Sequence, residues 1–204
     1  LQHGATTIAI DKKDDKWKLA PGVQGVDCRS QLICRASDAR AALQDFAGST
    51  LAFNDTISQS GYNALRALVA TTTTAPRPFF AATLQTGAHY RSIEAVRSGQ
   101  ADVAALDAVS WALWQQANPA RAGALRVFGQ SEAYPGLPLI TALQTPPAVL
   151  DALRAGLQRI ASEPAFAPVR APLRISGFVV SRLQDYQRCM AMQEQALAQG
   201  LPRL

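Results

Sequence analysis

The sequence predicts an α/β protein whose sheets are rich in parallel strands. Short β-branched or apolar runs alternate with helical periods along most of the chain, the pattern of strands joined through helices. One run, Ala101–Leu106 (ADVAAL), is apolar almost throughout, as expected of a strand covered on both faces. Polar turns follow several of the strands, and ligands gather at such edges in open parallel sheets.

Taken in order, residues 5–10 (ATTIAI) read as a strand and the charged, glycine-containing stretch 11–27 as a loop. Gln31–Arg35 (QLICR) is a second strand. Ala39–Phe46 is a short helix closed by Gly48. Thr50–Asn54 is a strand that runs into the polar turn Asp55–Gly61. A helix then carries Tyr62, Leu65, Leu68 and Val69 on one face, and Thr71–Thr74 with Pro76 and Pro78 make a loop. Ala81–Leu84 is a strand, Thr86-Gly87-Ala88 a turn, and His89–Ser98 a helix closed by Gly99. Asp107 ends the buried run, and Ala108–Ala117 is a helix stopped by Asn118-Pro119. Leu125–Phe128 and Leu139–Leu143 are strands on either side of the rigid Pro135-Gly136-Leu137-Pro138. Thr145 caps a helix with Pro146 in its first turn, whose stripe of Val149, Leu150, Leu153, Leu157 and Ile160 is expected to be buried. Gly177–Val180 is a last short strand, and Ser181 caps a terminal helix, Leu183–Gln199.

The chain has 204 residues, 48% apolar and 17% charged, a composition that supports a core and argues against disorder. Twenty Lys and Arg against 15 Asp and Glu give +5. Apart from Lys12, Lys13, Lys16 and Lys18 the basic residues stand singly. No basic block interleaved with aromatics marks a nucleic-acid surface, so no nucleic-acid partner is expected; the mild excess suits a small anion. No apolar run approaches the roughly 20 residues that span a bilayer. The sequence opens on Leu1 with no signal peptide in view, and reads as a processed or truncated product or the ordered part of a longer chain. Cys28 and Cys34 would lie roughly 20 Å apart on one extended strand, too far to bridge. Free thiols are expected, with a long-range bridge to Cys189 left open. No cysteine spacing marks a metal site.

The main local signal is Asn54-Asp55-Thr56-Ile57-Ser58-Gln59-Ser60-Gly61-Tyr62, where a strand ends and a helix begins near Ser58. Unpaired N–H groups at a helix start carry partial positive charge and suit a phosphate-like or carboxylate oxygen. Ordinary N-capping by Ser58 is the competing account. His89 opens a second helix after a strand, and Asp107 follows the buried strand; each also serves as an ordinary surface or capping residue. No catalytic motif competes. There is no G-x-S-x-G, H-E-x-x-H or P-loop, and the spacing of Ser58, His89 and Asp107 matches no strained nucleophile turn. Neither catalytic residues, a cofactor nor a metal is expected, and Trp111 and Trp114 read as packing.

With these residues in place, the chain resembles the phosphate/phosphonate/phosphite-binding components of ABC transporters. The resemblance rests on CRSQLICRASD (28–38), LAFNDTISQSGYNALR (51–66), TGAHYRSIEAVRSGQADVAALDAVSWAL (86–113) and YPGLPLITAL (134–143). It implies a type II periplasmic-binding-protein fold: two lobes with a ligand in the central cleft. Residues 1–49 and 135–204 would form a first lobe lacking its N-terminal part, and 50–134 the second. Ser58, Gln59, Ser60 and Gly61 would meet ligand oxygens through side chains and backbone N–H. His89 would donate a further hydrogen bond, and Asp107 would accept one from a protonated oxygen or an amine. Arg29 and Ser30 complete the expected ligand set. Cys28 beside them, where family members often carry an aromatic residue, and Gln59 in place of a small hydroxyl residue are departures that weaken a claim to phosphonate specifically.

The implied function is capture of a small anionic, phosphonate- or phosphate-like ligand by a monomer that passes it to an ABC permease. The implied location is periplasmic or extracytoplasmic, with the cytoplasm left open because no signal peptide is visible. The alternatives are an effector-binding domain of a regulator and a biosynthetic enzyme on the same fold. The ligand itself is expected to be an anion that also carries a hydrogen-bond donor.

Overall fold

The apolar run that stood out in the sequence becomes the middle strand of a five-stranded sheet, with Val103–Leu106 buried throughout. The computed structural model describes residues 5–9, 23–24, 27–74 and 78–204. The lysines at 12, 13, 16 and 18, most of the expected loop 11–27, and Pro76 lie outside the described residues. The strands are β1 (Ala5–Ala9), β2 (Val23–Gln24), β3 (Asp27–Cys28), β4 (Gln31–Arg35), β5 (Thr50–Phe53), β6 (Ala82–Gln85), β7 (Val103–Leu106), β8 (Leu125–Gln130), β9 (Tyr134–Pro135), β10 (Pro138–Leu139) and β11 (Gly177–Ser181). The helices are α1 (Ala64–Thr72), α2 (His89–Arg97), α3 (Ala108–Ala117), α4 (Pro119–Ala122), α5 (Pro147–Ser162), α6 (Ala167–Leu173) and α7 (Gln187–Ala198).

Two compact units account for these elements. One holds Arg29–Ala133 and Cys189–Leu204; the other holds the described residues up to Cys28 together with Tyr134–Arg188. The larger unit carries the sheet in the order β6-β5-β7-β4-β8. β5 runs parallel to both β6 and β7, whereas β4 is antiparallel to β7 and β8. Successive residues of a strand face opposite sides, and here that alternation feeds two cores. Leu51, Phe53, Val103 and Ala105 point to one side, against Leu65, Val69 and Phe46. Ala52, Ala104, Leu106 and Ile33 point to the other, against Ile93, Val96 and Trp111. Each fully buried Leu, Ile or Val contributes about 1.5–3 kcal/mol, which is why the central run has to be apolar on both faces.

The division at residue 50 is where this organisation departs from the expected boundaries. Residues 29–49 belong with the larger unit, because β4 sits between β7 and β8, with Leu32 opposite Ala105 and Cys34 opposite Arg126. Cys189–Leu204 belongs there as well. Ala196 and Leu201 enter the first core, Arg66 Nη1 donates to the Pro202 carbonyl at 2.7 Å, and the Leu204 N–H donates to Tyr62 Oη at 3.2 Å. The helix expected over 39–46 shrinks to a 3-10 turn, Leu43–Phe46. Asp45 accepts the N–H groups of Ala41 and Ala42, and so caps the chain just before that turn. The expected threonine loop begins late, since Thr71 and Thr72 complete α1.

In the smaller unit, β1 pairs antiparallel with β10 and β11, and β3 pairs antiparallel with β2 and β9. The strand expected over 139–143 is confined to Pro138–Leu139, and proline contributes no N–H to a ladder. α5 packs near β11, where Gln158 Nε2 donates to the Phe178 carbonyl at 2.9 Å. Its expected buried stripe is not buried: no residue of α5 is fully covered, and Val149 and Leu153 are each 48% exposed. Cys34 is buried and carries no disulfide.

Candidate functional site

The site grows from the C-terminal ends of the three parallel strands in the larger unit. β5 ends at Phe53, and Asn54–Ser58 turns the chain into a π-helical turn, Gln59–Asn63, that continues directly as α1. Ser58 adopts an extended backbone, and its Oγ accepts the Gly61 N–H at 3.0 Å. The Asn63 N–H returns to the Ser58 carbonyl at 2.9 Å. The first N–H groups of a helix have no intrahelical acceptor. With Gly61 taken by the cap, those of Gln59 and Ser60 are left for an outside acceptor. A side chain at Gly61 would displace Asn54, since a Cβ would sit 1.8 Å from Asn54 Oδ1.

The turn after β6 is tied to the turn after β5. The Thr86 N–H donates to the Phe53 carbonyl at 2.8 Å, and the Gly87 N–H donates to the Asn54 carbonyl at 2.9 Å. Gly87 supplies the positive φ of 81° that the turn needs, and Thr86 Oγ1 lies 2.7 Å from Ser92 Oγ. These bonds fix the start of α2, so that His89 Nε2 meets Ser60 Oγ at 3.0 Å. Burial holds the His89 imidazole below its usual range, and the carboxylate of Asp107 offsets part of that. Asp107 itself caps α3, its Oδ1 accepting the Ser110 N–H at 2.7 Å.

Ser30, the residue before β4, is bonded to the same helix start. Its Oγ donates to the Ser60 carbonyl at 2.7 Å, and its N–H donates to Ser131 Oγ at 2.9 Å. Arg29 Nη1 donates to the Ser131 carbonyl at 2.9 Å. The expected residues therefore divide. Ser30, Ser58, Ser60, Gly61 and His89 form one connected cluster, with Asp107 close enough to act on His89 electrostatically. Gln59 turns its side chain elsewhere: Nε2 donates to Met192 Sδ at 3.2 Å and Oε1 accepts from Asn63 Nδ2 at 2.8 Å. Only its backbone N–H stays with the cluster. Arg29 has one guanidinium nitrogen engaged by backbone. Ser131 had no motif to single it out; Asn54 heads the Asn54–Tyr62 stretch but was given no role there, seven residues before the glycine it crowds.

Chemically this is a donor-rich edge, with backbone N–H groups, a hydroxyl and an imidazole around one helix start. No group of His, Cys, Asp and Glu among the described residues could hold a metal ion. Nor is any described helix long and apolar enough to cross a membrane.

Residues 2–186 match the family model described as ABC transporter, phosphonate, periplasmic substrate-binding protein, and the chain belongs to this family. No sequence among the curated proteins compared with it matches. Among solved structures, a binding-protein component of an ABC phosphonate transporter from Pseudomonas aeruginosa superposes with a TM-score of 0.78 at 22% identity; the match covers 98% of this chain and 63% of that one. A Xanthomonas citri protein bound to ATP gives 0.65 at 20% identity, over 97% of this chain and 72% of that one. PhnD1 from Prochlorococcus marinus, in complex with methylphosphonate, gives 0.70 at 15% identity, over 84% and 67%. The fold is that of the type II periplasmic binding proteins. The chain spans 63% of the length of the Pseudomonas protein.

Proposed function

We propose that this chain is the ligand-capturing part of a transport system, binding a small phosphonate- or phosphate-like anion at the Ser58–Gly61 helix start and passing it to an ABC permease outside the cytoplasm. The observation that carries this reading is the contact between Ser60 Oγ and His89 Nε2 at 3.0 Å, made where two N–H groups are unclaimed by the helix. Donors converging on one helix start favour an anion, each helix end by roughly 0.3–1 kcal/mol when exposed and up to ~2 kcal/mol when partly buried. The ligands of two relatives, methylphosphonate and ATP, share a tetrahedral phosphorus head with anionic oxygens, which is the shape such donors fit.

Asp107 narrows the choice. Its Oδ1 is spent on the Ser110 N–H, and a carboxylate oxygen has further lone pairs to offer. Beside a fully ionised anion that carboxylate repels; beside a protonated oxygen or an amine it accepts a hydrogen bond. A ligand without a donor leaves it unpaired, at a cost of about 1–3 kcal/mol or more. The site therefore prefers a small anion that also carries a donor over one such as sulfate. Titration calorimetry with inorganic phosphate, methylphosphonate, 2-aminoethylphosphonate and sulfate tests this. Phosphate and the phosphonates should bind more tightly than sulfate, and Asp107→Asn should shrink that difference more than it lowers overall affinity. Tight binding of an uncharged sugar with no anion bound contradicts the reading.

A further inference from the structure

The helix start that carries Ser60 does not close as an α-helix. The Asn63 N–H returns to the Ser58 carbonyl at 2.9 Å, and the Ala64 N–H returns to the Gln59 carbonyl, each five residues back rather than four. Such π-helical turns are rare; they occur mostly as single turns within α-helices, frequently at functional sites. The extra residue has a directional consequence. Each residue turns an α-helix by about 100°, so the residues at the start of the turn face another way, relative to α1, than they would in a regular helix. Gln59 and Ser60, whose N–H groups the helix leaves unclaimed, lie in that turn.

Bonds from outside the helix hold this turn. Three of its five residues, and Arg66 just beyond them, reach one stretch of chain, Cys189–Leu204. Asn63 Nδ2 donates to the Cys189 carbonyl at 3.0 Å, and Gln59 Nε2 donates to Met192 Sδ at 3.2 Å. Tyr62 Oη accepts the Leu204 N–H at 3.2 Å, and Arg66 Nη1 donates to the Pro202 carbonyl at 2.7 Å. Met192, Ala196 and Leu201 are buried, so the stretch is packed in place. Asn63 stands at the centre of these bonds. Its backbone N–H closes the π turn, its Nδ2 also donates to Gln59 Oε1 at 2.8 Å, and its Oδ1 accepts from Arg66 Nη2 at 3.2 Å. Both ends of its amide are thus committed. Ser60, in the same turn, looks to other partners: Ser30 Oγ donates to its carbonyl at 2.7 Å, and its Oγ meets His89 Nε2 at 3.0 Å.

We infer that Asn63 is a positioning residue: through it the C-terminal stretch Cys189–Leu204 holds the π turn, and so aims the Gln59 and Ser60 N–H groups at the ligand. This rests on the reading that the Ser58–Gly61 helix start meets the ligand. It gives the Gln59 side chain a part in binding without contact to the ligand, because that side chain belongs to the same set of anchoring bonds. Coupling of this kind is reciprocal. A ligand that favours the π turn also tightens the hold of the turn on Cys189–Leu204.

The test is amide hydrogen exchange of the full chain, with and without saturating methylphosphonate or inorganic phosphate, together with calorimetry on Asn63→Ala. Ligand that binds stabilises the whole fold and slows exchange generally, so the comparison is with Leu125–Val127 of β8, the strand at one edge of the sheet. In the wild type the bound ligand should slow exchange in Cys189–Leu204 several-fold more than in Leu125–Val127. Asn63→Ala should bind about tenfold more weakly, and at saturating ligand the extra slowing in Cys189–Leu204 should vanish. Equal slowing of the two segments in the wild type overturns the inference, and that result stands even where the variant fails to fold. So does an Asn63→Ala variant with unchanged affinity, or one that loses affinity and keeps the extra slowing, since the residue then serves stability alone. Wild-type protein that binds neither methylphosphonate nor inorganic phosphate overturns the anion-binding reading itself, and the inference with it.

Discussion

Ser30 and Ser60 lie thirty positions apart, yet the hydroxyl of the first donates to the carbonyl of the second at 2.7 Å. Ser30 is fully buried, so this bond links the antiparallel strand β4 to the helix start that carries the site. Ser30→Ala leaves the Ser60 carbonyl without that donor. It should lower unfolding free energy by about 1–3 kcal/mol, measured by urea denaturation, and weaken phosphonate binding in parallel.

Gly61 is held to a glycine by space rather than by its backbone angles, because a Cβ would stand 1.8 Å from Asn54 Oδ1. Gly61→Ala must push Asn54 aside. Overpacking of this kind costs about 1–3 kcal/mol. The variant should melt at a lower temperature and bind phosphonate less tightly, and the double variant Gly61→Ala/Asn54→Ala should recover part of the lost stability.

Asp102 ties the opposite edge of the same sheet. Its Oδ2 accepts the Thr50 N–H at 3.0 Å, and its Oδ1 pairs with Arg35 at 3.0 Å and Arg40 at 3.2 Å. Burial raises its pKa, but the Thr50 N–H and the two guanidinium groups outweigh this and hold it below the usual range. Asp102→Ala should cost about 1–3 kcal/mol of stability and leave phosphonate affinity unchanged, because Asp102 precedes β7 whereas the site follows it. Denaturation and calorimetry on the one variant separate the two effects.

His89 makes stability depend on pH. Burial lowers its pKa, and Asp107 offsets part of the shift. The unfolded chain takes up the proton near the ordinary value of about 6.5, and the folded chain only at lower pH. The stability linked to His89 is thus complete above that ordinary value and is lost as pH falls toward the folded-state pKa. Proton NMR should find His89 titrating below 6.5, and His89→Gln should flatten the fall in stability below neutral pH.

Much of this was legible in the residues. The all-apolar run at Val103–Leu106 announces a central strand because alternation forces both faces into cores. That Ser58 caps a helix start after one strand and His89 opens a helix after another was legible from the turn residues around them. What escaped depends on distance along the chain. Nothing local in QLICR says that β4 runs antiparallel between β7 and β8, since direction is set by its partners. Gln59 looked like a ligand residue beside two serines, and only the arrival of α7, with Met192, draws its side chain away. The α5 stripe has a helical period whether or not anything covers it. Asn54 heads the Asn54–Tyr62 stretch, but its packing against Gly61 shows only in three dimensions.

The most direct test of the account is calorimetric titration of methylphosphonate into the wild-type chain and into Ser60→Ala. Ser60 joins the helix start, His89 and Ser30, so its hydroxyl is the group the account depends on most. The account predicts saturable one-to-one binding to the wild type, weakened about tenfold or more by Ser60→Ala, with the variant's thermal unfolding otherwise near that of the wild type. Equal affinity in the two proteins would contradict it.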